Sequence, residues 1–186
     1  MAKLQEITDD PVIVPRNDKP LATIPPWRVE ALEQHLSRVL GEMLVVNRLD
    51  HMPTPVRPPP TGFQGVVANC ACSLCKGFCC GSGQEDAFLD QRTLARVLLS
   101  DPDLSDRGLI QRYLDRVPSV SFDGSCIFHG ATGCTLDRSM RSDVCNSYYC
   151  WGLSEFMTRE EASPTVVIAG EGEKRRTSTI LRPSSG

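Results

Sequence analysis

Apolar residues in the first third of the chain recur at the spacing of one long amphipathic helix. Within residues 27–50 they fall every three or four positions, which places them on one face of a helix. We therefore predict a helix from about Trp27 to about Asn47, begun by a pair of prolines that the first turn tolerates. Its apolar face would pack on the core or on a second subunit, as a homodimer or with another protein partner. Residues 1–26 carry five prolines without this period and predict an extended arm.

The middle of the chain alternates between linker, strand and helix signals. Residues 51–61 contain five prolines and predict a stiff, polyproline-like linker. Residues 62–68 predict a short strand that leads into a cysteine-rich stretch. Asp90 and Ser105 each stand before an apolar-periodic segment, where their side chains would cap the first turn of a helix.

Two segments have the pattern of a β-hairpin. The Asp-Gly dipeptide at 123–124 is a two-residue turn signal flanked by alternating residues. Its register would pair Ser121 with Cys126 and make the Cys126 thiol project from a rigid hairpin. The second predicted hairpin joins residues 165–169 to residues 177–181.

A short helix is predicted between these two hairpins. Ser142 is placed to cap it, and Cys145 lies in its first turn. Cys145 and Cys150 are separated by about 140° around an ideal helix, so they would not share a face. The helix must therefore end before Cys150 if both thiols reach one site, and Gly152 is its predicted stop.

Composition and charge describe an ordinary soluble protein. The 186 residues carry a net charge of −3 and 6% aromatic residues, so neither a basic surface nor a base-stacking platform for nucleic acid is expected. No run approaches the roughly 18 apolar residues of a membrane span. The N-terminus lacks the apolar core of a signal peptide, which predicts a cytoplasmic location. In that reducing compartment, clustered cysteines are expected to bind metal rather than to form disulfides.

Nine cysteines carry the chemistry of this sequence, and five of them lie in CACSLCKGFCC at 70–80. A Cys-x2-Cys unit such as Cys72 and Cys75 brings two sulfurs to one zinc or iron ion. Cys79 and Cys80 are adjacent and point in different directions, so one of them would serve a second metal, bridge two metals or pack as a small buried residue. Two four-thiolate sites, one polynuclear cluster, and one site with spare thiols all remain open. Spacing does not choose between zinc and an iron–sulfur cluster.

The stretches CSLCKGFCC and CIFHGATGCTLDRSMRSDVCNSYYC resemble the YkgJ-like cysteine-cluster proteins, the CxxCxxCC family described as chelating zinc or iron. The resemblance covers about residues 68–152 and departs from the family in two places. Three residues, not two, separate Cys75 from Cys79, and Ser142 stands where many members have proline. The resemblance implies eight metal ligands and leaves Cys70 as a bystander; the eight are Cys72, Cys75, Cys79, Cys80, Cys126, Cys134, Cys145 and Cys150.

Metal binding by zinc, iron or an iron–sulfur cluster is thus the expected function. Flagellin lysine N-methylases carry a related cysteine pattern, so the alternative is an iron–sulfur-dependent redox or protein-modifying enzyme. No glycine-rich nucleotide loop follows a strand, and Gly81-Ser82-Gly83 is a weak signal. His129 would be a ligand, a hydrogen-bond partner of a ligand or a polar turn residue. Tyr148, Tyr149 and Trp151 would shield the site from water rather than bind substrate.

Together these patterns predict an α+β fold: a small metal-stabilised domain with helices, a short β-hairpin and cysteine-rich loops. A structural metal contributes on the order of 10–16 kcal/mol to folding, so its loss would unfold the domain. The expected organisation is an extended arm (1–26), an amphipathic helix (27–50), a proline-rich linker (51–61), a cysteine-cluster metal-binding domain (62–152) and a C-terminal hairpin and tail (153–186).

Overall fold

A computed structural model describes residues 11–45, 55–56, 58–159, 164–170 and 177–181, and these combine helices with short strands. The mixed α and β content expected from the sequence is confirmed. The strands are β1 (Val12–Val14), β2 (Leu21–Thr23), β3 (Val120–Phe122), β4 (His129–Gly130), β5 (Gly133–Cys134), β6 (Thr165–Ala169) and β7 (Thr177–Leu181). The α-helices are α1 (Pro26–Val45), α2 (Gly62–Cys75), α3 (Gln91–Ser100), α4 (Asp106–Leu114), α5 (Asp143–Ser147) and α6 (Trp151–Phe156), and Phe78–Ser82 and Arg138–Met140 are 3₁₀ helices.

The chain divides into two compact units. The terminal unit comprises Met1–Asp18, Pro58–Phe78 and Tyr149–Gly186, and the central unit comprises Lys19–Arg57 and Cys79–Tyr148. Residues 62–152, predicted as one cysteine-cluster domain, belong partly to each unit. Among the described helices, none combines the length and apolar character that a bilayer crossing requires.

The terminal unit is built on a three-stranded sheet in the order β1-β6-β7. The predicted hairpin of residues 165–169 and 177–181 is confirmed as the antiparallel pair β6–β7, with Thr165 opposite Leu181. Strand β1 comes from the segment expected to be an arm and runs parallel to β6, with Val12 opposite Val167. Apolar side chains of β1 and β6 are buried with those of α2 and α6.

Helix α2 corrects the prediction of a strand at 62–68. Val67, Ala71 and Cys75 are buried at intervals of four residues while Val66 is exposed, so the sheet covers one helical face. A Cβ on Gly65 would lie 2.5 Å from the Pro60 carbonyl oxygen. The glycine thus lets the proline segment approach the helix, which alternation alone could not reveal.

Gly152 was predicted to end a helix, and this prediction is wrong. Helix α6 begins at Trp151, so Gly152 lies inside it. A Cβ on Gly152 would lie 1.9 Å from the Ile13 carbonyl oxygen of β1. The missing side chain allows α6 to pack directly on the strand. The predicted break before Cys150 is confirmed, because α5 ends at Ser147.

The central unit is a helical core to which short strands are attached. Helix α1 confirms the predicted amphipathic helix, and residues 46–50 lie outside the described residues. Its apolar face is buried within the same unit against α3 and α4. Both predicted caps are confirmed: the Thr93 N–H donates to Asp90 Oδ1 at 2.9 Å, and the Gly108 N–H donates to Ser105 Oγ at 3.1 Å.

The prediction that residues on either side of the 123–124 turn pair with each other is wrong. The turn itself forms, since the Ser125 N–H donates to the Phe122 carbonyl at 3.0 Å. However, β3 pairs with β2 from the predicted arm, which places Leu21 opposite Phe122. The chain after the turn does not pair with β3; instead, the Cys126 N–H donates to the Cys80 carbonyl in the 3₁₀ helix Phe78–Ser82. Cys126 is consequently buried and does not project from a ladder.

Candidate functional site

All nine cysteines lie among the described residues, and none of them takes part in a disulfide bond. Three of the eight predicted ligands belong to the terminal unit and five to the central unit. The terminal three are Cys72, Cys75 and Cys150, and the central five are Cys79, Cys80, Cys126, Cys134 and Cys145. The ninth cysteine, Cys70, is in the terminal unit and is half-buried on its apolar cluster.

Backbone hydrogen bonds bring the first two central cysteine segments together. The Cys126 N–H donates to the Cys80 carbonyl at 2.8 Å, and the Ile127 N–H donates to the Gln84 carbonyl at 2.8 Å. A Cβ on Gly83 would lie 3.0 Å from Cys126 Cβ and 3.3 Å from its Sγ. Glycine at 83 therefore permits the close approach of the loop after Cys80 to the Cys126 thiol.

The strand pair β4–β5 carries the third cysteine. His129 lies opposite Cys134 in this antiparallel pair, and the His129 N–H donates to the Cys126 carbonyl at 2.9 Å. The His129 ring is buried, and its Nδ1 lies 2.8 Å from Ser125 Oγ. The structure thus places His129 in a hydrogen-bond network beside Cys126 and Cys134, two of the predicted ligands.

The fourth segment holds Cys145 in the first turn of α5. Its N–H donates to the capping Ser142 Oγ at 3.2 Å, as predicted. Arg96 of α3 bonds the Ser139 and Arg141 carbonyls and the Asp143 carboxylate, so one side chain fixes the segment before the cysteine.

Within the central unit, several cysteine side chains alter one another's pKa. The Cys80 thiol hydrogen-bonds to the Cys79 sulfur, which lowers the pKa of Cys79 to about 7 and raises the pKa of Cys80. Burial, together with the charges of Cys134 and Cys145, raises the pKa of Cys126 to about 12. Burial also raises the pKa of Cys145, with further contributions from Cys134 and Cys79. Each thiolate in this group therefore disfavours a second one nearby.

These neighbours do not form a closed coordination shell. Among the described residues, no three cysteine, histidine, aspartate or glutamate side chains are close enough to hold a metal ion as they stand. Coordination in the central unit would therefore require the thiol side chains to converge, since a tetrahedral zinc site places each sulfur about 2.3 Å from the ion.

Cys72 and Cys75 lie three residues apart on the last turn of α2, where Cys75 is buried on the apolar cluster of the terminal unit and Cys72 is exposed. Lys76 and Gly77 then reverse the chain with φ of 52° and 65°. This turn aims the Phe78 N–H at Cys75 Sγ, 3.4 Å away. An N–H donor to sulfur is compatible with the thiolate that binds metal.

Of the three aromatic residues expected to shield the site, Tyr148 and Trp151 are exposed, whereas Tyr149 is partly buried against the apolar cluster of the terminal unit. Tyr148 retains 55% of its surface and Trp151 retains 77%.

The structure adds residues that the sequence reasoning missed, above all Arg28 and Arg96. Arg28 precedes the buried Leu32 and Leu36 by four and eight positions, so it belongs to the apolar face of α1. A charged residue on an apolar face was a usable signal of a buried polar network. Arg96 offered no such signal, because its partners lie more than 40 residues away.

Comparison of the chain with models of protein families, with curated proteins and with solved structures finds no match.

Proposed function

We propose that the protein binds a thiophilic metal, zinc or iron including an iron–sulfur cluster, through the five cysteines of its central unit. The observation that supports this most strongly is the backbone pairing of the segments that carry three of them. The Cys126 N–H donates to the Cys80 carbonyl at 2.8 Å, and His129, which lies opposite Cys134, donates its N–H to the Cys126 carbonyl at 2.9 Å.

The donor set fits such a metal on chemical grounds. Thiolates crowded together repel one another, and a bound cation removes that repulsion while satisfying each sulfur. Five thiols exceed the four that one tetrahedral ion takes, so one sulfur would be spare or would bridge two metals. A bound zinc would supply a redox-silent cross-link, whereas an iron–sulfur cluster would supply electron transfer.

The protein's own residues would hold the sulfurs in place. Ser142 caps the turn that carries Cys145, and the backbone pair of Cys80 and Cys126 keeps those two sulfurs in adjacent segments. Cys72, Cys75 and Cys150 remain proposed ligands through the resemblance to the CxxCxxCC proteins. The N–H bond to Cys75 Sγ is compatible with this proposal for one of them. We also propose a cytoplasmic location, where thiols stay reduced.

Elemental analysis of protein purified without air, with its visible spectrum, tests the proposal. At least one equivalent of zinc or iron is expected, and the double variant Cys126→Ser/Cys134→Ser should lose most of the metal bound by the central unit. Cys70→Ser is the matched control and should retain it, because Cys70 lies outside the eight. A folded, metal-free wild type whose nine thiols all react with a thiol reagent would overturn the proposal.

The same spectrum separates the two classes of function. Colourless, redox-silent protein would favour a structural or interaction role for zinc. Brown protein whose absorption bleaches on reduction would move the assignment to an iron–sulfur-dependent redox or protein-modifying enzyme.

A further inference from the structure

Arg28 is a buried cation in the central unit, with only 6% of its surface exposed. A buried guanidinium is costly unless its donors are satisfied. Here Nε bonds Glu85 Oε1 at 2.6 Å, Nη1 bonds Ser121 Oγ at 3.4 Å, and Nη2 bonds the Ser125 carbonyl. All three nitrogens of the fork are thereby used.

The partners of Arg28 lie in the two segments that carry Cys80 and Cys126. Glu85 belongs to the loop that follows Cys80, and Ser125 immediately precedes Cys126. The two segments also bond each other directly through the Cys126 N–H and the Cys80 carbonyl, 2.8 Å apart. The arginine therefore ties both segments to helix α1.

The loop that contains Glu85 has a strained backbone. Gln84, Ala87 and Phe88 have φ of 36°, 51° and 55°, a left-handed conformation that residues with a Cβ adopt only at an energetic cost. Such a loop keeps its shape when contacts such as the Arg28–Glu85 ion pair hold it.

The network continues toward a third cysteine. Ser125, whose carbonyl binds Arg28, places its Oγ 2.8 Å from Nδ1 of the buried His129. His129 lies opposite Cys134 in the β4–β5 pair. One buried cation is thus linked by short steps to the segments of three of the five central cysteines.

We infer that Arg28 is a positioning residue of the central thiol site, which holds the Cys80 and Cys126 segments in the arrangement that receives the metal. The inference rests on the proposed function and goes beyond it by assigning a role to a residue that is not a ligand. Arginine suits the role because its planar fork reaches three acceptors at fixed angles. Lysine would supply the charge without that fork.

Cobalt(II) serves as the probe, because bound thiolates give it an absorption spectrum that reports the coordination. Its dissociation constant is measured anaerobically for the wild type, Arg28→Gln, Arg28→Lys and the control Arg38→Gln. Arg38 is an exposed residue on the same helix, paired with Glu42. We expect affinity to fall by about 10- to 100-fold in both Arg28 variants, as for other residues that orient metal ligands, and the thiolate–cobalt absorption to change. Arg38→Gln should match the wild type.

Denaturant unfolding of the metal-free variants separates positioning from a merely structural role. If Arg28→Gln lowers stability while its folded form binds cobalt with wild-type affinity and spectrum, the inference is overturned. If Arg28→Gln does not fold, Glu85→Ala provides the test and should weaken binding by about tenfold, with Glu42→Ala as its control. Wild-type affinity in a folded Glu85→Ala protein would then refute the inference. A wild type that binds neither cobalt(II) nor iron would instead overturn the proposed function itself.

Discussion

The backbone N–H of Cys126 donates to the carbonyl of Cys80 across 2.8 Å, so two cysteines 46 positions apart in sequence lie in directly bonded segments. The contact is close enough that the intervening Gly83 cannot carry a side chain without touching Cys126. The site is therefore organised by backbone pairing as well as by the spacing of cysteines.

Gly83→Ala should disturb this contact. The added methyl would lie 3.0 Å from Cys126 Cβ, and overpacking of this kind typically costs about 1–3 kcal/mol. We expect a loss of that size in the free energy of unfolding, measured with denaturant, together with weaker metal binding. Gly81→Ala is the matched control, because its added methyl would meet nothing within 4 Å; equal effects of the two substitutions would contradict the prediction.

Gly152→Ala should destabilise the terminal unit. Its Cβ would lie 1.9 Å from the backbone oxygen of Ile13, and neither α6 nor β1 can yield without losing its packing. We expect a cost of about 3 kcal/mol or more, measured as a lowered denaturation midpoint. Gly41→Ala, inside α1 with open space around it, should instead stabilise by about 0.5–1 kcal/mol. A neutral Gly152→Ala would show that α6 does not pack on β1 in this way.

Cys79 should be alkylated before Cys80, Cys126 and Cys145 in the reduced, metal-free protein. The hydrogen bond from Cys80 lowers the pKa of Cys79 to about 7, whereas the pKa of each of the other three is raised. Because the thiolate is the reactive form, the Cys79 rate should be half-maximal near pH 7, rise toward its maximum at higher pH and fall steadily at lower pH. Limited iodoacetamide labelling with peptide mapping measures this order, and earlier labelling of Cys126 would contradict it.

Removal of metal should leave the helices of the central unit folded. Its core is formed by apolar side chains of α1, α3 and α4 that need no metal to pack, among them Leu32, Leu36, Leu94 and Leu109. This expectation differs from the sequence-based one, in which metal loss unfolds the whole cysteine domain. Far-UV circular dichroism before and after a chelator should show most helical signal retained. Loss of most of the helical signal would instead show that these helices depend on the bound metal.

Several elements followed from the sequence because their stabilising contacts are local. Helix α1 follows from a period repeated over its length, and the caps Asp90, Ser105 and Ser142 bond N–H groups only three residues away. The strands at 165–169 and 177–181 form the predicted hairpin because their strand signals are close in sequence. In each case the interacting groups are near neighbours, so residue type and spacing were sufficient.

The remaining features depend on contacts between segments that are distant in sequence. Strand β3 had a nearby partner in the chain after its turn, yet it pairs with β2 about 100 residues upstream, because Cys126 bonds Cys80 instead. Helix α2 could not be predicted from its own residues. Its buried face is the one covered by β1 and β6, which come from opposite ends of the sequence.

The cysteine-rich stretch at 70–80 shows the same division. Its composition was enough to predict thiol chemistry, since residue type alone decides which atoms can bind a thiophilic metal. Only the tertiary structure assigned Cys72 and Cys75 to one compact unit and Cys79 and Cys80 to the other. It also supplied Arg28, because a buried cation is recognised by the three distant acceptors that satisfy it.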